Sequence, residues 1–206
     1  MGRVSAADRS QQFVEAAARV IAREGVTAAT TRRIAQEADA PLAALHYCFR
    51  SKDDLLLEVY HHLSRDYVRQ LDPLPAEAGL HEAVSLHMRR IWKRMLASPH
   101  EQITTFELLL RGQRITDEKE REAALAVNRQ MYDAWISSTA SIFDAGARHS
   151  GITPATDTTV AARFAVAGID GISIQHFSDP DEERSWQMID ELIESLQALL
   201  RPRDDA

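Results

Sequence analysis

The first candidate for chemistry is the pair formed by His46 and Cys48, the only cysteine in the chain. A cysteine thiolate beside a histidine can be a nucleophile with its base, and the same side chains can bind a metal ion. On a helix, however, positions two apart point about 200° away from each other, so the two groups cannot meet. Cys48 also occupies a packing position, where burial would keep its thiol inert. We therefore predict no catalytic residues and no metal site.

The composition is typical of a globular protein with one sizeable core. The chain has 206 residues, of which 45% are hydrophobic and 27% are charged. Its first residues contain no apolar signal region, and no window approaches about 18 uninterrupted apolar residues. A single cysteine cannot form an intramolecular disulfide. We expect a cytoplasmic protein with no cofactor and no membrane association.

The charge is unevenly distributed along the chain. Residues 1–52 carry eight basic and five acidic side chains, a sum of +3, whereas the whole chain carries −7 and the remainder therefore −10. A basic N-terminal part followed by an acidic body is compatible with binding to a polyanion. Chance clustering on a solvated surface would give the same small excess.

Apolar residues recur at intervals of three and four along nearly the whole sequence, and alternating runs rich in Val, Ile and Thr are missing. This periodicity predicts an all-α protein with about nine helices. Turn and capping residues place the helices at about 9–24, 30–38, 41–49, 51–71, 76–97, 99–115, 117–147, 154–177 and 180–201.

Residues 31–48 have the spacing of two short helices that cross tightly. Such a crossing needs small or apolar residues at the contact and a turn residue that tolerates positive φ. Asp39 occupies the turn, and aspartate adopts the left-handed conformation more readily than most residues. The packing positions are Ile34, Ala35, Ala38, Ala40, Leu45 and Cys48. The pattern predicts a helix-turn-helix whose second helix is presented to the DNA major groove.

Residues 9–60 resemble the N-terminal DNA-binding domain of the tetracycline-repressor (TetR) family. The resemblance rests on a helix ending in glycine, then TTRRIAQEA, LHYCF and RSKDDLL, in the family's order and spacing over about fifty residues. The sequence departs from the family at Asp39, where glycine is usual, at His46, where tyrosine is usual, and at Cys48, where histidine is common. The resemblance implies a DNA-binding domain at residues 1–56 and a helical ligand-binding and dimerisation domain at residues 57–206.

Position by position, the resemblance also implies which residues contact DNA. These are Thr30, Thr31, Arg32, Arg33, Leu42, Ala43, Ala44, His46, Tyr47, Ser51 and Lys52. An arginine at position 32 suits guanine O6 and N7, whereas residues 42–44 can offer only apolar contacts, so we expect base readout from Arg32 and Tyr47. For Arg32 and Arg33 the alternative is a solvated helix face. A histidine near phosphates can take up a proton near neutral pH, so His46 could make DNA binding pH-dependent.

In the C-terminal body, aromatic and methionine-rich helix faces could line an apolar cavity, with polar groups such as His87, Glu107, Asn128 and Asp170 to orient a ligand. The candidate ligand-binding residues are Met88, Trp92, Phe106, Leu110, Asn128, Met131, Tyr132, Trp135 and Asp170. For each of them, ordinary core packing or a surface position is the alternative.

The last two helices are candidates for a dimer interface. Residues 161–174 are apolar almost all round and carry small residues on one stripe, and the final helix has apolar residues at intervals of three and four. Two such helices per subunit would form a symmetric four-helix interface. The predicted interface residues are Ala161, Phe164, Ala165, Gly168, Gly171, Ile189, Ile193 and Leu196.

Taken together, these features predict a homodimeric, ligand-responsive transcriptional regulator. The resemblance implies a repressor that binds a pseudo-palindromic operator and is released when a small-molecule effector shifts the fourth helix. One alternative is a DNA-binding protein that acts without a ligand. The other is a cytosolic enzyme using Cys48 and His46, which the helical spacing disfavours.

Overall fold

The computed structural model describes residues 5–69 and 71–203. Over these ranges the chain forms nine α-helices and no strand, as predicted. The helices are α1 (Ala6–Glu24), α2 (Thr31–Glu37), α3 (Leu42–Cys48), α4 (Lys52–Arg69), α5 (Leu80–Ala97), α6 (Pro99–Arg111), α7 (Glu118–Ser150), α8 (Thr158–Ser178) and α9 (Glu182–Leu199), with a 3-10 turn at Gly112–Arg114. In the part of the chain that the structure describes, no helix has the length and apolarity needed to cross a membrane.

Several helices begin at a different residue from the predicted one because a side chain caps them there. Helix α1 begins early, at Ala6, because the Ser5 hydroxyl accepts a hydrogen bond from Asp8 N at 3.1 Å. Helix α5 begins late, and the Ser150 hydroxyl accepts from Leu80 N at 2.9 Å. Helix α8 begins at Thr158 because the Asp157 carboxylate accepts hydrogen bonds from Thr159 N and Val160 N.

The chain packs into two compact units. The first unit contains α1 to α4, α6 and the part of α7 up to Met131, and the second contains α5, the remainder of α7 from Tyr132, α8 and α9. This division follows packing and does not test the predicted functional boundary after residue 56, which stays a prediction.

In the first unit, α1 is the central element and packs against α2, α3, α4 and α6. Its buried face carries Phe13 and Val20, both fully inaccessible to solvent. The Phe13 ring meets the ring of Phe49, which follows α3, edge to face with 6.5 Å between centroids. This contact fixes the end of α3 to the core of the unit.

In the second unit, α9 packs against both α5 and α8. The core includes Trp92, Phe143 and Leu196, none of which is exposed to solvent. Helix α8 approaches α9 closely at Gly168, where an added Cβ would lie only 2.7 Å from the methyl carbons of Leu192. A side chain larger than hydrogen at this position would require the side chain of Leu192 to shift.

Candidate nucleic-acid interface and ligand-binding residues

The turn between α2 and α3 has the geometry that the sequence predicts. The Thr30 hydroxyl accepts a hydrogen bond from Arg33 N at 3.1 Å and so caps the start of α2. Asp39 has φ of 47°, in the left-handed region, and Ala40 N donates to Ala35 O at 3.0 Å. The turn is therefore closed by backbone hydrogen bonds, and α3 can cross α2.

One face of α3 is buried and the other is open. Leu45 and Phe49 are 1% and 4% exposed, so they anchor the helix and the residue that follows it. Ala43, His46 and Tyr47 are exposed, and Tyr47 retains 86% of its accessible surface. Leu42 and Ala44 are half-buried between the two faces. A short helix held by its inner face and carrying an exposed tyrosine is suited to insertion into a groove.

The burial of Cys48 differs from the prediction. Its side chain is half-buried and not fully buried, so burial does not shield the thiol as completely as the helical spacing suggested. Among the described residues, Cys48 and the exposed His46 form no hydrogen bond with each other. Within the described ranges no group of three or more His, Cys, Asp or Glu side chains is arranged to hold a metal ion.

Arg33 forms ion pairs with carboxylates of α1 and α2, and its contact with DNA stays a prediction. Its guanidinium lies 2.7 Å from a carboxylate oxygen of Glu24 and 3.3 Å from one of Glu37. The hydrogen bond to Glu24 is the main cause that raises the pKa of Arg33. Arg23 also binds Glu37 at 2.6 Å, and Arg19 at 3.3 Å. The charges of these arginines are therefore balanced by carboxylates of the same protein.

Arg32 differs from its neighbour. It is exposed, and among residues 5–69 and 71–203 it forms no hydrogen bond or ion pair. Its guanidinium is therefore available to a ligand without breaking an internal contact. The exposed Thr30 and half-buried Thr31 lie at the same end of α2.

The start of α4 is capped as predicted, but Lys52 has an internal partner. Ser51 Oγ accepts from Asp54 N at 3.0 Å. Lys52 Nζ donates to Val26 O at 3.2 Å, and burial followed by the nearby charge of Arg111 lowers the pKa of Lys52. Because an ammonium has three N–H donors, one bond to Val26 still leaves donors for a phosphate.

Glu107 was considered as a ligand-orienting residue, and the structure gives it another contact. From α6, its carboxylate Oε2 accepts a hydrogen bond from Val26 N at 2.8 Å, in the loop between α1 and α2. Gly25 lies beneath the same carboxylate, where an added Cβ would be 3.5 Å from Oε1. The two partners are 81 positions apart, so no local sequence signal could have identified this contact.

The predicted ligand-binding residues divide between the two units. Phe106, Leu110, Asn128 and Met131 belong to the first unit, whereas Met88, Trp92, Tyr132, Trp135 and Asp170 belong to the second. Leu110 is 61% exposed, and the Asn128 amide donates to Leu109 O at 2.9 Å. Met88 is 1% exposed within the core of its unit, which is the ordinary packing role.

The second unit brings three of the predicted residues together. Tyr132 Oη donates to Asp170 Oδ2 at 2.8 Å. The ring of Tyr132 meets the ring of Trp135 edge to face, with 5.6 Å between centroids. These contacts join α7 to α8 through a carboxylate and two aromatic rings.

His87 is buried, and both of its ring nitrogens form hydrogen bonds within the protein. It therefore has a structural role, which was the alternative to orienting a ligand. Arg90 Nε donates to His87 Nδ1 at 3.1 Å, so Nε2 carries the proton and donates to Thr139 Oγ1, also at 3.1 Å. Burial, and then the charge of Arg90, lowers the pKa of His87 to about 3. The side chain is therefore neutral near pH 7 and joins α5 to α7.

A surface groove in the second unit contains none of the predicted ligand-binding residues. Its volume is about 290 Å³. It is lined by Asp72, Pro73, Leu74, Pro75, Leu86, Arg89, Arg90, Lys93 and Trp186.

Most of the predicted dimer residues lie on the inner faces of α8 and α9, so the predicted interface is corrected. Ala161, Ala165, Ile189, Ile193 and Leu196 are all buried inside their own subunit, and Gly168 packs against Leu192. Side chains with no accessible surface cannot contact a partner. Of the predicted set, Phe164 is exposed, and nothing lies within 4 Å of a Cβ built on Gly171.

Comparison with known proteins adds independent evidence. Residues 13–59 match the family described as "Bacterial regulatory proteins, tetR family", and residues 117–198 match "BetI-type transcriptional repressor, C-terminal". The chain is 30% identical over 195 residues to the HTH-type nicotine-responsive transcriptional repressor HdnoR of Paenarthrobacter nicotinovorans, covering 94% of this chain and 96% of HdnoR.

Solved structures share the fold. A TetR transcription regulator from Haloarcula marismortui has a TM-score of 0.73 at 20% identity, with 95% of this chain and all (100%) of that chain covered. The multidrug binding protein EbrR complexed with ethidium has a TM-score of 0.70 at 24% identity, with 94% and 99% covered.

The anchored α3, the closed turn at Asp39 and the exposed side chains of both helices define a helix-turn-helix DNA-binding protein. With the full-length similarity to HdnoR, the assignment becomes more specific. The chain belongs to the TetR family, and it is a ligand-responsive transcriptional repressor. This confirms the prediction of a ligand-responsive regulator over that of a DNA-binding protein without a ligand.

Proposed function

We propose that this repressor acts as a homodimer in the cytoplasm, where it can reach chromosomal DNA. Two copies of α3 enter successive major grooves of a pseudo-palindromic operator, with half-site centres about 34–36 Å apart. The observation that carries this proposal is the contrast within the helix-turn-helix: Leu45 and Phe49 are buried, while Tyr47 is 86% exposed.

Base readout rests on Arg32 and Tyr47. Arg32 has no internal partner among the described residues, so its guanidinium can donate to guanine O6 and N7 without breaking an ion pair. Ala43, with Leu42 and Ala44, offers apolar contacts to thymine methyl groups. Thr30, Thr31, His46, Ser51 and Lys52 bind phosphates and set the orientation of the helix.

The dimer forms through an outer stripe of α8. Val160, Phe164, Ala167, Gly171 and Ile174 recur at intervals of four and three, and we call them the outer α8 stripe. Val160, Phe164 and Ile174 are 57%, 45% and 53% exposed, although they are large and apolar. A helix stripe of this kind, with open space at Gly171, is suited to close symmetric packing against a second copy.

A charge on this stripe tests the dimer. We expect Phe164→Glu to weaken dimerisation by about 2 kcal/mol or more, because symmetry places both carboxylates at the interface. Sedimentation equilibrium measures the effect, with Gln36→Glu, an exposed position on α2 in the first unit, as the control. A wild-type protein that sediments as a monomer at micromolar concentration would rule out the dimer.

The repressor is released by a small molecule that binds the second unit. HdnoR is named a nicotine-responsive repressor, and EbrR was solved with ethidium. For this chain we place the effector near Tyr132, Trp135 and Asp170, whose contacts support a polar and aromatic site. The effector needs only to favour the state that does not bind DNA, and a coupling of about 1–3 kcal/mol changes DNA affinity roughly 5–150-fold.

Selection of bound DNA from a random pool tests the whole proposal. The full-length protein is expected to enrich an inverted repeat whose half-sites are centred about one helical turn apart. Enrichment of a single unrepeated half-site would contradict the dimeric mode, and no enrichment over random DNA would contradict specific binding.

A further inference from the structure

The surface groove of the second unit combines apolar and basic side chains. Three parts of the chain line it: residues 72–75, one face of α5, and Trp186 of α9. The α5 residues recur at intervals of three and four and therefore share that face; they are Leu86, Arg89, Arg90 and Lys93. Sites for small organic molecules are mostly apolar and carry a few polar groups that orient the ligand. The groove has this composition, with cations as its main polar groups.

Hydrogen bonds within the protein hold two sides of the groove in place. Arg90 Nη1 donates to Asp72 O at 2.6 Å, and Arg90 Nε donates to the buried His87 at 3.1 Å, so residues 72–75 are fixed against α5. Trp186 Nε1 donates to Glu182 Oε1 at 3.4 Å, one turn earlier on α9, which fixes one edge of the indole ring. Because these contacts exist without a ligand, little ordering is needed when one binds.

Two cations of the groove keep N–H donors beyond their ion pairs. Lys93 Nζ lies 3.8 Å from a carboxylate oxygen of Asp72, which is longer than a hydrogen bond, and both side chains are 76% exposed. Arg89 Nη2 lies 2.5 Å from Asp190 Oδ1, again at the surface. An ammonium has three N–H donors and a guanidinium has five. Since the two residues are four positions apart on α5, both can donate to one bound carboxylate.

We propose that this groove binds a small aromatic carboxylate. The carboxylate accepts hydrogen bonds from Lys93 and Arg89, and the ring packs against Trp186 and the apolar side chains of residues 73–75. A volume of about 290 Å³ lies at the lower end of the range for small-molecule sites, so a molecule of one or two rings fits. An organic cation would be repelled by the basic face of α5. The inference goes beyond the proposed function, because none of the residues proposed to bind the effector lines this groove.

Four probes separate the parts of this proposal in titrations of the full-length protein at pH 7 without DNA. Cinnamate carries a ring and a carboxylate, cinnamamide is its neutral counterpart, cinnamylamine is a cation with the same ring, and acetate is a carboxylate without a ring. Calorimetry gives the affinities. We expect cinnamate to bind at least about fivefold more tightly than each of the other three. Raising the salt from about 0.05 M to about 0.5 M should weaken cinnamate but not cinnamamide.

Three variants assign the contacts. Lys93→Gln and Arg89→Gln each remove one exposed cation, so each should weaken cinnamate roughly threefold to tenfold and change cinnamamide little. Trp186→Ala removes the ring surface and should weaken cinnamate and cinnamamide alike. Arg148→Gln is the matched control, because Arg148 is an exposed arginine of the same unit that does not line the groove.

Thermal unfolding of each variant checks that the fold is retained, and Lys93→Gln, at an exposed position, keeps the test decisive if Trp186→Ala does not fold. The proposal is overturned if cinnamate does not bind, if cinnamamide, cinnamylamine or acetate binds as tightly, or if Lys93→Gln binds cinnamate as well as Arg148→Gln does. Operator binding is measured separately without any probe. Intact operator binding with no cinnamate binding refutes this inference alone, whereas cinnamate binding without operator binding refutes the proposed function alone.

Discussion

The arginine group of the first unit and the buried histidine bond of the second unit use polar side chains in opposite ways. In the first, Glu37 collects three arginines, Arg19, Arg23 and Arg33, at the surface of α1 and α2. In the second, His87 and Thr139 are buried, and the indole N–H groups of Trp92 and Trp135 have no hydrogen-bond partner in the part of the chain that the structure describes. Exposed ion pairs contribute little stability each, whereas a buried polar group is costly unless it is bonded. The exposed ion pairs of Glu37 can therefore be lost at little cost, whereas loss of the buried bond between His87 and Thr139 is expensive.

The buried bond between His87 and Thr139 gives the largest expected effect. Thr139→Val keeps the side-chain shape but removes the acceptor for His87 Nε2, so a buried N–H is left unbonded. We expect the free energy of unfolding to fall by about 1–3 kcal/mol. Urea denaturation measures the change. Ser141→Ala is the control on the same helix, since the exposed Ser141 hydroxyl bonds only to Ser137 O. Equal effects of the two substitutions would show that burial does not raise the cost of losing a hydrogen bond in this unit.

We expect two adjacent arginines to have different roles: Arg32 reads a base, whereas Arg33 forms ion pairs within the protein. Arg32→Ala should lower affinity for the selected operator by about 1–3 kcal/mol and relax the base preference at one position, because a bidentate guanine contact is lost. Arg33→Ala removes contacts to Glu24 and Glu37 and should change operator affinity much less. Binding to specific and random DNA is compared by fluorescence anisotropy. If Arg32→Ala weakened both DNAs equally, Arg32 would be a phosphate contact.

The helix-turn-helix could be predicted from the sequence because its determinants are close together in the chain. The cap at Thr30, the turn at Asp39 and the anchor at Leu45 fall within one short segment, and each residue type acts locally. The ion pair of Arg33 could not be predicted because its carboxylate partner Glu24 lies on another helix. Helical spacing gives the direction of a side chain but not the partner that it meets.

The exposed face of α8 could not be predicted because this helix is apolar nearly all round. The buried Ala161 and Ala165 and the half-buried Gly168 each lie one position after an exposed residue, namely Val160, Phe164 and Ala167. A shift of one position turns the helix by about 100°, so periodicity alone does not say which face meets the subunit's own core. Only the packing of α9 against α8 decides it.

Substitution of Glu107 tests how firmly the loop between α1 and α2 is held in the first unit. Glu107→Ala leaves Val26 N without its acceptor, and we expect a loss of about 1 kcal/mol in unfolding free energy together with weaker operator binding. Glu107→Gln keeps an oxygen acceptor and should recover most of both. Hydrogen exchange at Val26 reports the bond directly. Unchanged exchange in Glu107→Ala would show that the contact does not hold the loop.

The smallest expected effect concerns Glu37, and it appears only in acid. The hydrogen bond from Arg23, followed by those from the other arginines, lowers the pKa of Glu37 from 4.5 to about 2. Because the folded pKa lies below the unfolded value, this stabilisation is present above about pH 4.5 and is lost as the pH falls towards 2. Glu37→Gln should therefore lower stability slightly at pH 7 and narrow its gap to the wild type as the pH falls through this range. Thermal unfolding between pH 3 and pH 7 checks it, with Glu15→Gln, an exposed position on α1 outside this arginine group, as the control. A gap that stayed constant with pH would mean that the arginines do not stabilise the ionised carboxylate, and the surface charges of the first unit would then be as dispensable as their exposure suggests.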